Sequence, residues 1–245
     1  MSSNIDLIQG DCIDEMQKLI DKKVKVDLIL VDLPYGTTAC KWDNIIPFEP
    51  MWDCFNQLSK PKTPVVLFGS EPFSTKLRNS NLENFKYDWI WEKEQGANFM
   101  QVKYAPYKVH EIISVFNKHN YYPIMSKGKP YISGKGTSGD ITGNVIKIQT
   151  KNEGTRYPRS VINFNTDKRN SKHPTQKPVA LLEYLIKTYS QENELVLDCC
   201  MGSGSTGVAC KNTNRDFIGI ELDEEYYNIA CSRINNSQAR LEEFN

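Results

Sequence analysis

Apolar residues in this chain come in short runs separated by stretches with helical spacing. A strand-like segment at 5–7, a helical period over 12–20 and a nearly continuous apolar run at 26–31 predict strand, helix and buried strand in succession. That run ends at Asp32-Leu33-Pro34-Tyr35-Gly36, where proline and glycine stop it. Residues 64–68 predict another short buried strand, 71–78 a helix, and 87–91 and 111–116 two further strands. The pattern resumes with an amphipathic helix over 178–189, opened by Pro178, and a strand at 195–198. A glycine loop, a helix to about residue 211, a strand at 217–221 and a terminal helix from 224 complete it. Buried strands alternating with helices imply an α/β fold.

Residues 119 to about 170 break this rhythm. They are rich in Gly, Ser, Thr, Lys and Tyr, with four glycines between 128 and 139, and show no strong period. An irregular insertion is expected there rather than core.

Composition adds two constraints. The 245 residues suffice for one domain with a substantial core. No apolar run approaches the roughly 18 residues of a membrane span, and the first ten residues lack a signal-peptide layout, so a cytoplasmic protein is expected. The seven cysteines are scattered without a C-x-x-C pair, which points to reduced, mostly buried thiols and to neither a disulfide framework nor a zinc site.

The net charge is zero, but it is unevenly spread. Between Lys118 and Lys177 twelve Lys or Arg face three acids, leaving minus nine on the remainder. Such a basic segment on an acidic body fits a phosphate-backbone contact, and a solvated loop has the same composition.

Two segments carry candidate chemistry. Asp198-Cys-Cys-Met-Gly202-Ser203-Gly204-Ser-Thr-Gly207 contains G-x-G-x-x-G between a predicted strand and helix, with Glu221 ending the next strand. A dinucleotide site, a site for another adenosine cofactor and a tight turn all fit that motif. Position disfavours the first, because only 38 residues follow Gly207 and a full dinucleotide-binding sheet needs several more units. The earlier strands must therefore complete the sheet, which makes the layout permuted. Asp32-Leu33-Pro34-Tyr35 lies at the carboxyl end of a buried strand, where α/β enzymes place ligands. It reads as a pocket for a planar amine or as a strand-ending turn with a capping aspartate.

Together these segments resemble a family. Asp-Leu-Pro-Tyr is similar to the D/N/S-P-P-Y signature of amino-methyltransferases, and Val196-Leu-Asp-Cys-Cys-Met-Gly-Ser-Gly-Ser-Thr to their V-L-D-P-F-x-G-S-G-T-T loop. The order of the two motifs resembles the β group of DNA amino-methyltransferases. Gly10-Asp11, Phe68-Gly69-Ser70-Glu71-Pro72-Phe73, His110-Glu111 and His173-Pro174-Thr175-Gln176-Lys177-Pro178 agree. Leu33 departs from the usual first proline, and Cys199-Cys200 from Pro-Phe.

The resemblance implies a permuted Rossmann-like methyltransferase fold: a mostly parallel seven-stranded sheet with helices on both faces, forming a single domain over 1–245. It implies S-adenosylmethionine as cofactor, and no metal. Asp11 and the Cys12 amide would hold its adenine, Glu221 its ribose, Lys177 its carboxylate, and Asp198 with the loop at Gly202, Ser203 and Gly204 its methionine portion. Asp32 and the Leu33 carbonyl would accept the hydrogens of a base amino group, with Pro34 stiffening the turn and Tyr35 stacking on a flipped base.

The segment 119–165 falls where β-group enzymes carry target recognition. Lys127, Lys129, Lys135, Arg156, Arg159, Lys168 and Arg169 would then meet DNA, expected to be double-stranded. His110 and His173 are expected as positioning groups and His119 at the surface; the four tryptophans are assigned to the core or its rim.

The aspartate-first motif favours adenine N6 over cytosine N4. A silent DNA-binding protein on the same fold, a glutamine methyltransferase and a nicotinamide-dependent oxidoreductase are the rival readings. A restriction-modification partner, an orphan housekeeping mark and a phage enzyme protecting its own DNA all fit that reading, and the resemblance makes a homodimer compatible with it, since β-group relatives often dimerise.

Overall fold

A computed structural model describes residues 3–36, 43–96, 98–133, 136–139, 145–148, 151–166 and 176–237, with the backbone alone at 136–139 and 145–148. The chain divides into two compact units, one of Met1–Tyr122 with Ser160–Asn245 and a smaller one of Pro123–Arg159.

The larger unit opens with β1 (Ile5–Gln9), α1 (Cys12–Asp21), β2 (Leu28–Asp32) and α2 (Phe48–Leu58). It continues through β3 (Val65–Gly69), α3 (Phe73–Asn79), β4 (Phe85–Glu92) and β5 (His110–Phe116). The smaller unit contributes β6 (Ser126–Lys127), β7 (Tyr131–Ile132), β8 (Gly136–Gly139), β9 (Val145–Ile148), β10 (Lys151–Asn152) and β11 (Thr155–Arg156). The chain then returns to the larger unit with β12 (Val161–Asn163), α4 (Val179–Tyr189), β13 (Leu195–Asp198), α5 (Ser205–Asn212), β14 (Asp216–Glu221) and α6 (Glu224–Asn236).

The sheet order is β1-β14-β13-β2-β3-β5-β4-β12. The late strands β13 and β14 thus sit between β1 and β2, as the permuted reading requires. Every strand runs parallel to the others except β5, which is antiparallel to β3 and β4.

Side chains two apart along a strand share a face, and the core divides accordingly. Leu28, Leu30, Val66, Phe68, Val196 and Phe217 pack with α4, α5 and α6 through Leu181, Leu185, Ala209 and Ile234. Ile29, Val31, Val65, Leu67, Leu197 and Ile218 pack with α1, α2 and α3 through Met16, Leu19, Met51, Phe55 and Leu77. Helices therefore cover both faces, which is why the central strands β2 and β3 are nearly continuous apolar runs.

Three features depart from expectation. The sheet has eight strands, because β12 adds to β4 with Ile162 opposite Trp91; three residues are too few to show a period. Helix α2 was not read from the pattern, although Met51, Trp52, Phe55 and Leu58 keep helical spacing on its buried side. Pro50 lies in its first turn, where a missing N–H costs nothing.

The third departure lies in the stretch expected to be irregular. There β6 pairs with β11, β7 with β10 and β8 with β9, all antiparallel. The nested pairs form one long interrupted hairpin. None of its described side chains is buried, so no contrast of burial marks the strands. No helix among the described residues is long and apolar enough to cross a membrane.

Candidate active site

Strand order sets the site. Asp32 ends β2, Asp198 ends β13 and Glu221 ends β14, while Asp11 lies two residues beyond β1. These strands are consecutive neighbours in the sheet, so at about 4.8 Å between strands four acids line up along one carboxyl edge. Two backbone bonds tie the flanking loops to β14: the Gly10 amide donates to the Glu221 carbonyl and the Met201 amide to that of Ile220, each at 2.9 Å.

Asp32 is held by both oxygens. The Tyr35 hydroxyl donates to Oδ1 at 2.9 Å and the Lys177 ammonium to Oδ2 at 2.6 Å. Lys177 is buried and also lies 3.3 Å from Glu111 Oε2, while Lys93 donates to Glu111 Oε1 at 2.8 Å. Two carboxylates and two ammoniums thus form a formally neutral chain at the edge of the sheet.

The charges tune one another. Burial raises the Asp32 pKa, and Lys177 offsets the rise only in part. Burial acts the same way on Glu111, but there Lys177 and Lys93 prevail and hold the carboxyl below its ordinary range. Burial would lower the Lys177 pKa, yet Asp32 and Glu111 keep it above the usual lysine value.

Tyr35 stacks on Phe73 with centroids 5.0 Å apart and planes at 29°. One of its faces is therefore occupied from within the protein, and Lys177 Nζ lies 5.8 Å from its ring centroid. The Gly36 amide donates to Asp43 Oδ1 at 2.9 Å, which fixes the exit of the turn.

The glycine loop leads from β13 into α5. Gly202 and Gly204 have φ of +52° and +79°, a region that favours glycine. A Cβ on Gly204 would come within 2.9 Å of Ala230 Cβ, whereas one on Gly202 would meet nothing within 4 Å. The loop thus packs against α6 on one side and faces open space on the other. Glu221 accepts from the Gly202 amide at 2.8 Å and the Asp223 amide at 2.9 Å. Asp198 accepts from the Thr206 hydroxyl at 2.6 Å and the Cys200 amide at 3.1 Å, and burial pushes its pKa up to about 7.

Asp11 is exposed and caps α1, accepting from the Ile13 and Asp14 amides. Ser203 is buried, donating to Gln176 Oε1 at 3.2 Å and accepting from Arg233 at 2.7 Å. Cys12, Cys199 and Cys200 are free thiols, Cys199 buried and the other two partly exposed, so thiols stand at the two positions that depart from Pro-Phe.

The predicted residues therefore divide. Asp32, Tyr35 and Lys177 come together, and Leu33 is buried beneath them with Pro34 partly exposed. The contacts of Lys177 are to Asp32 and Glu111. Glu111 and Lys93 carry the network without having been chosen from the sequence. The signal available was a charge at the head of the apolar strand His110–Phe116.

Within the smaller unit Lys127, Lys129 and Arg159 are exposed. Arg156 instead bonds inward to Asn152, Thr155 and Lys129 and lies over the Tyr131 ring at 4.8 Å. Lys135, Lys168, Arg169, His173 and Trp42 lie outside the described residues.

Trp52, Trp89 and Trp91 are buried as expected. His110 is exposed. His119 is not at the surface: it is partly buried, bonded to Tyr87 and Asn117, because a cluster of aromatic rings surrounds it.

Comparison with known proteins agrees with this geometry. The DNA methylase family profile matches residues 26–232. The chain is 29% identical to the type II methyltransferase M.HpaI of Haemophilus parainfluenzae, over 94% of this chain and 74% of that one. It is 28% identical to M2.LlaDCHI of Lactococcus lactis subsp. cremoris, over 95% and 90%. Among solved structures, the M1.HpyAVI–SAM complex is similar at a TM-score of 0.64 and 26% identity, covering 94% of this chain and 99% of that one. The cytosine-N4-specific PvuII DNA methyltransferase shares the fold at a TM-score of 0.67 and 16% identity, covering 98% and 90%.

Proposed function

The chain belongs to the DNA methylase family, whose members methylate amino groups of DNA bases, and from that premise we propose that it methylates N6 of adenine in double-stranded DNA. The observation that carries the reading is the Asp32 carboxylate, held by Tyr35 and Lys177 at the end of β2, one strand from Asp198 and the glycine loop. The aspartate at the head of the Asp-Leu-Pro-Tyr turn favours adenine over cytosine.

S-adenosylmethionine is the methyl donor and supplies an electrophilic methyl group on a sulfonium. The acid-lined edge fits it chemically: Glu221 suits ribose hydroxyls, Asp198 suits an ammonium, and Asp11 with the Cys12 amide suits the adenine edge. The open side of Gly202 leaves room for a ligand against the backbone.

An exocyclic amine is a poor nucleophile while its lone pair is delocalised into the ring. Asp32 and the Leu33 carbonyl accept its two hydrogens, so the nitrogen can pyramidalise. Each oxygen of Asp32 already accepts one bond, and a carboxylate has about four acceptor sites, so capacity remains. Tyr35 and Lys177 keep the carboxylate from rotating away. The contribution is positional and electrostatic.

The hairpin of the smaller unit supports a role in target recognition, with Lys127, Lys129 and Arg159 on phosphates. Arg156 serves that role by bracing the hairpin.

Asp198 makes cofactor affinity depend on pH. Burial pushes its pKa up to about 7, and a ligand ammonium beside it must lower that value, so binding releases a proton near neutrality. Affinity should rise as pH goes from 6 to 8, and calorimetry in buffers of different ionisation heat should detect the released proton. An Asp198→Asn protein that keeps the same pH dependence would remove Asp198 from the cofactor site.

The reading itself is tested by incubating protein with unmethylated DNA and S-adenosylmethionine, digesting to nucleosides and measuring mass spectra. N6-methyladenine is expected. N4-methylcytosine would overturn the base assignment, and neither product with cofactor bound would overturn the activity.

A further inference from the structure

The loop joining β4 to β5 is exposed where an apolar surface would not be expected. Met100 is 92% exposed, Tyr104 90% and Phe99 73%. A monomeric protein rarely leaves neighbouring large apolar side chains in water unless they meet a partner.

The loop is nevertheless braced. Lys93 N–H donates to the Val109 carbonyl at 2.7 Å, closing the stem. Across it, Asn98 donates to the Pro106 carbonyl at 3.0 Å and accepts from the Lys108 amide at 2.7 Å. Phe99–Gln101 forms a single 3-10 turn at the tip. The apolar tips are thus presented by fixed backbone.

Position points to the partner. β4 is parallel to β2 and β3 by way of antiparallel β5, so this loop leaves the sheet at the edge that carries Asp32. Its first residue, Lys93, is paired to Glu111, which lies against Lys177 and so reaches Asp32. Residues 95–108 include Lys103 and Lys108 and no acid. Apolar and aromatic residues interleaved with lysine suit stacked bases flanked by phosphates.

We propose that this loop enters the duplex beside the target base and that Met100, with Phe99, fills the place in the stack that the flipped base leaves. The inference rests on the methylation of duplex DNA proposed above. Apolar wedges of this kind pry base steps apart, and a wedge matters most where the base is paired, because extrusion then costs most.

The test compares wild type with the Met100→Ala/Phe99→Ala protein on two substrates carrying the sequence that wild type methylates. One is the intact duplex, and the other has an abasic site opposite the target. The double variant should lose about 10- to 100-fold in kcat/KM on the intact duplex and no more than about 3-fold on the abasic one. The Tm should not move, since both residues are exposed. Equal loss on both substrates, or loss on neither, would overturn the wedge and leave the methylation reading standing. Activity lost together with a fall in sedimentation mass would also overturn it, by making the loop a contact between two copies. A wild-type protein that methylates neither substrate would instead overturn the reading beneath it.

Discussion

Asp32→Asn is expected to abolish methyl transfer, by about 10²- to 10³-fold in kcat, while the protein stays folded and still binds cofactor. That is the usual scale for removing one fixed group that stabilises charge in a reaction. Asparagine keeps the size of the side chain but leaves one acceptor oxygen, which Lys177 requires because it can only donate, while the NH2 turns to the Tyr35 hydroxyl, which can accept. The amino group of the base loses its anionic acceptor at the same time.

Stability should barely change. Burial outweighs Lys177 and raises the Asp32 pKa, so Asp32 supports the fold most when protonated. That support declines as pH rises past the ordinary aspartate value, and at neutral pH the ionised group is a strain. Asparagine removes the strain, which offsets the lost ion pair. A variant keeping more than about a tenth of wild-type kcat, a barrier change of under about 1.4 kcal/mol, would show that Asp32 does not act on the amine.

Lys177→Met should have the largest effect on stability, about 3–5 kcal/mol, the range for removing one partner of a buried ion pair. Lys177 is 6% exposed and is the cation shared by Asp32 and Glu111. Methionine fills the space but leaves two carboxylates facing each other, with only Lys93 left on Glu111.

The deficit should depend on pH. In the wild type Glu111 is held below its ordinary pKa, so its contribution is present above that value and is lost as pH falls through the depressed one. Lys177 is held above its ordinary pKa, so its contribution is present below that value and is lost only at strongly alkaline pH. Without Lys177 the carboxylates gain from protonation, and the gap between variant and wild type should narrow from pH 8 to pH 5. Urea unfolding at both values measures this. A deficit that is equal at both, or under about 1 kcal/mol as for a surface pair, would mean that the pair is not a buried structural element. Adding Glu111→Gln should return part of the loss.

Much of this molecule was legible in the chain alone. Runs of β-formers such as those at Leu28–Asp32, Val65–Gly69 and Asp216–Glu221 declare themselves because both faces are buried, and burial is what local pattern reports. The ends of these strands carry recognisable motifs, so the acids Asp32, Asp198 and Glu221 stand out in the sequence as strand-end residues. The permuted order followed from counting the residues after Gly207.

What escaped had no local signature. Among the described side chains of Pro123–Arg159 none is buried, so the strands there carry no burial period. Val161–Asn163 is a strand only because β4 offers it an edge. The Lys177–Asp32 bond spans 145 residues, and Glu111 and Lys93 reach the same cluster because β4 and β5 lie side by side. Sequence determined which segments are buried and which residue types stand at the strand ends, since desolvation acts residue by residue. Tertiary structure decided which charges face one another, because Coulomb energy depends on distances in space that the order of residues does not contain.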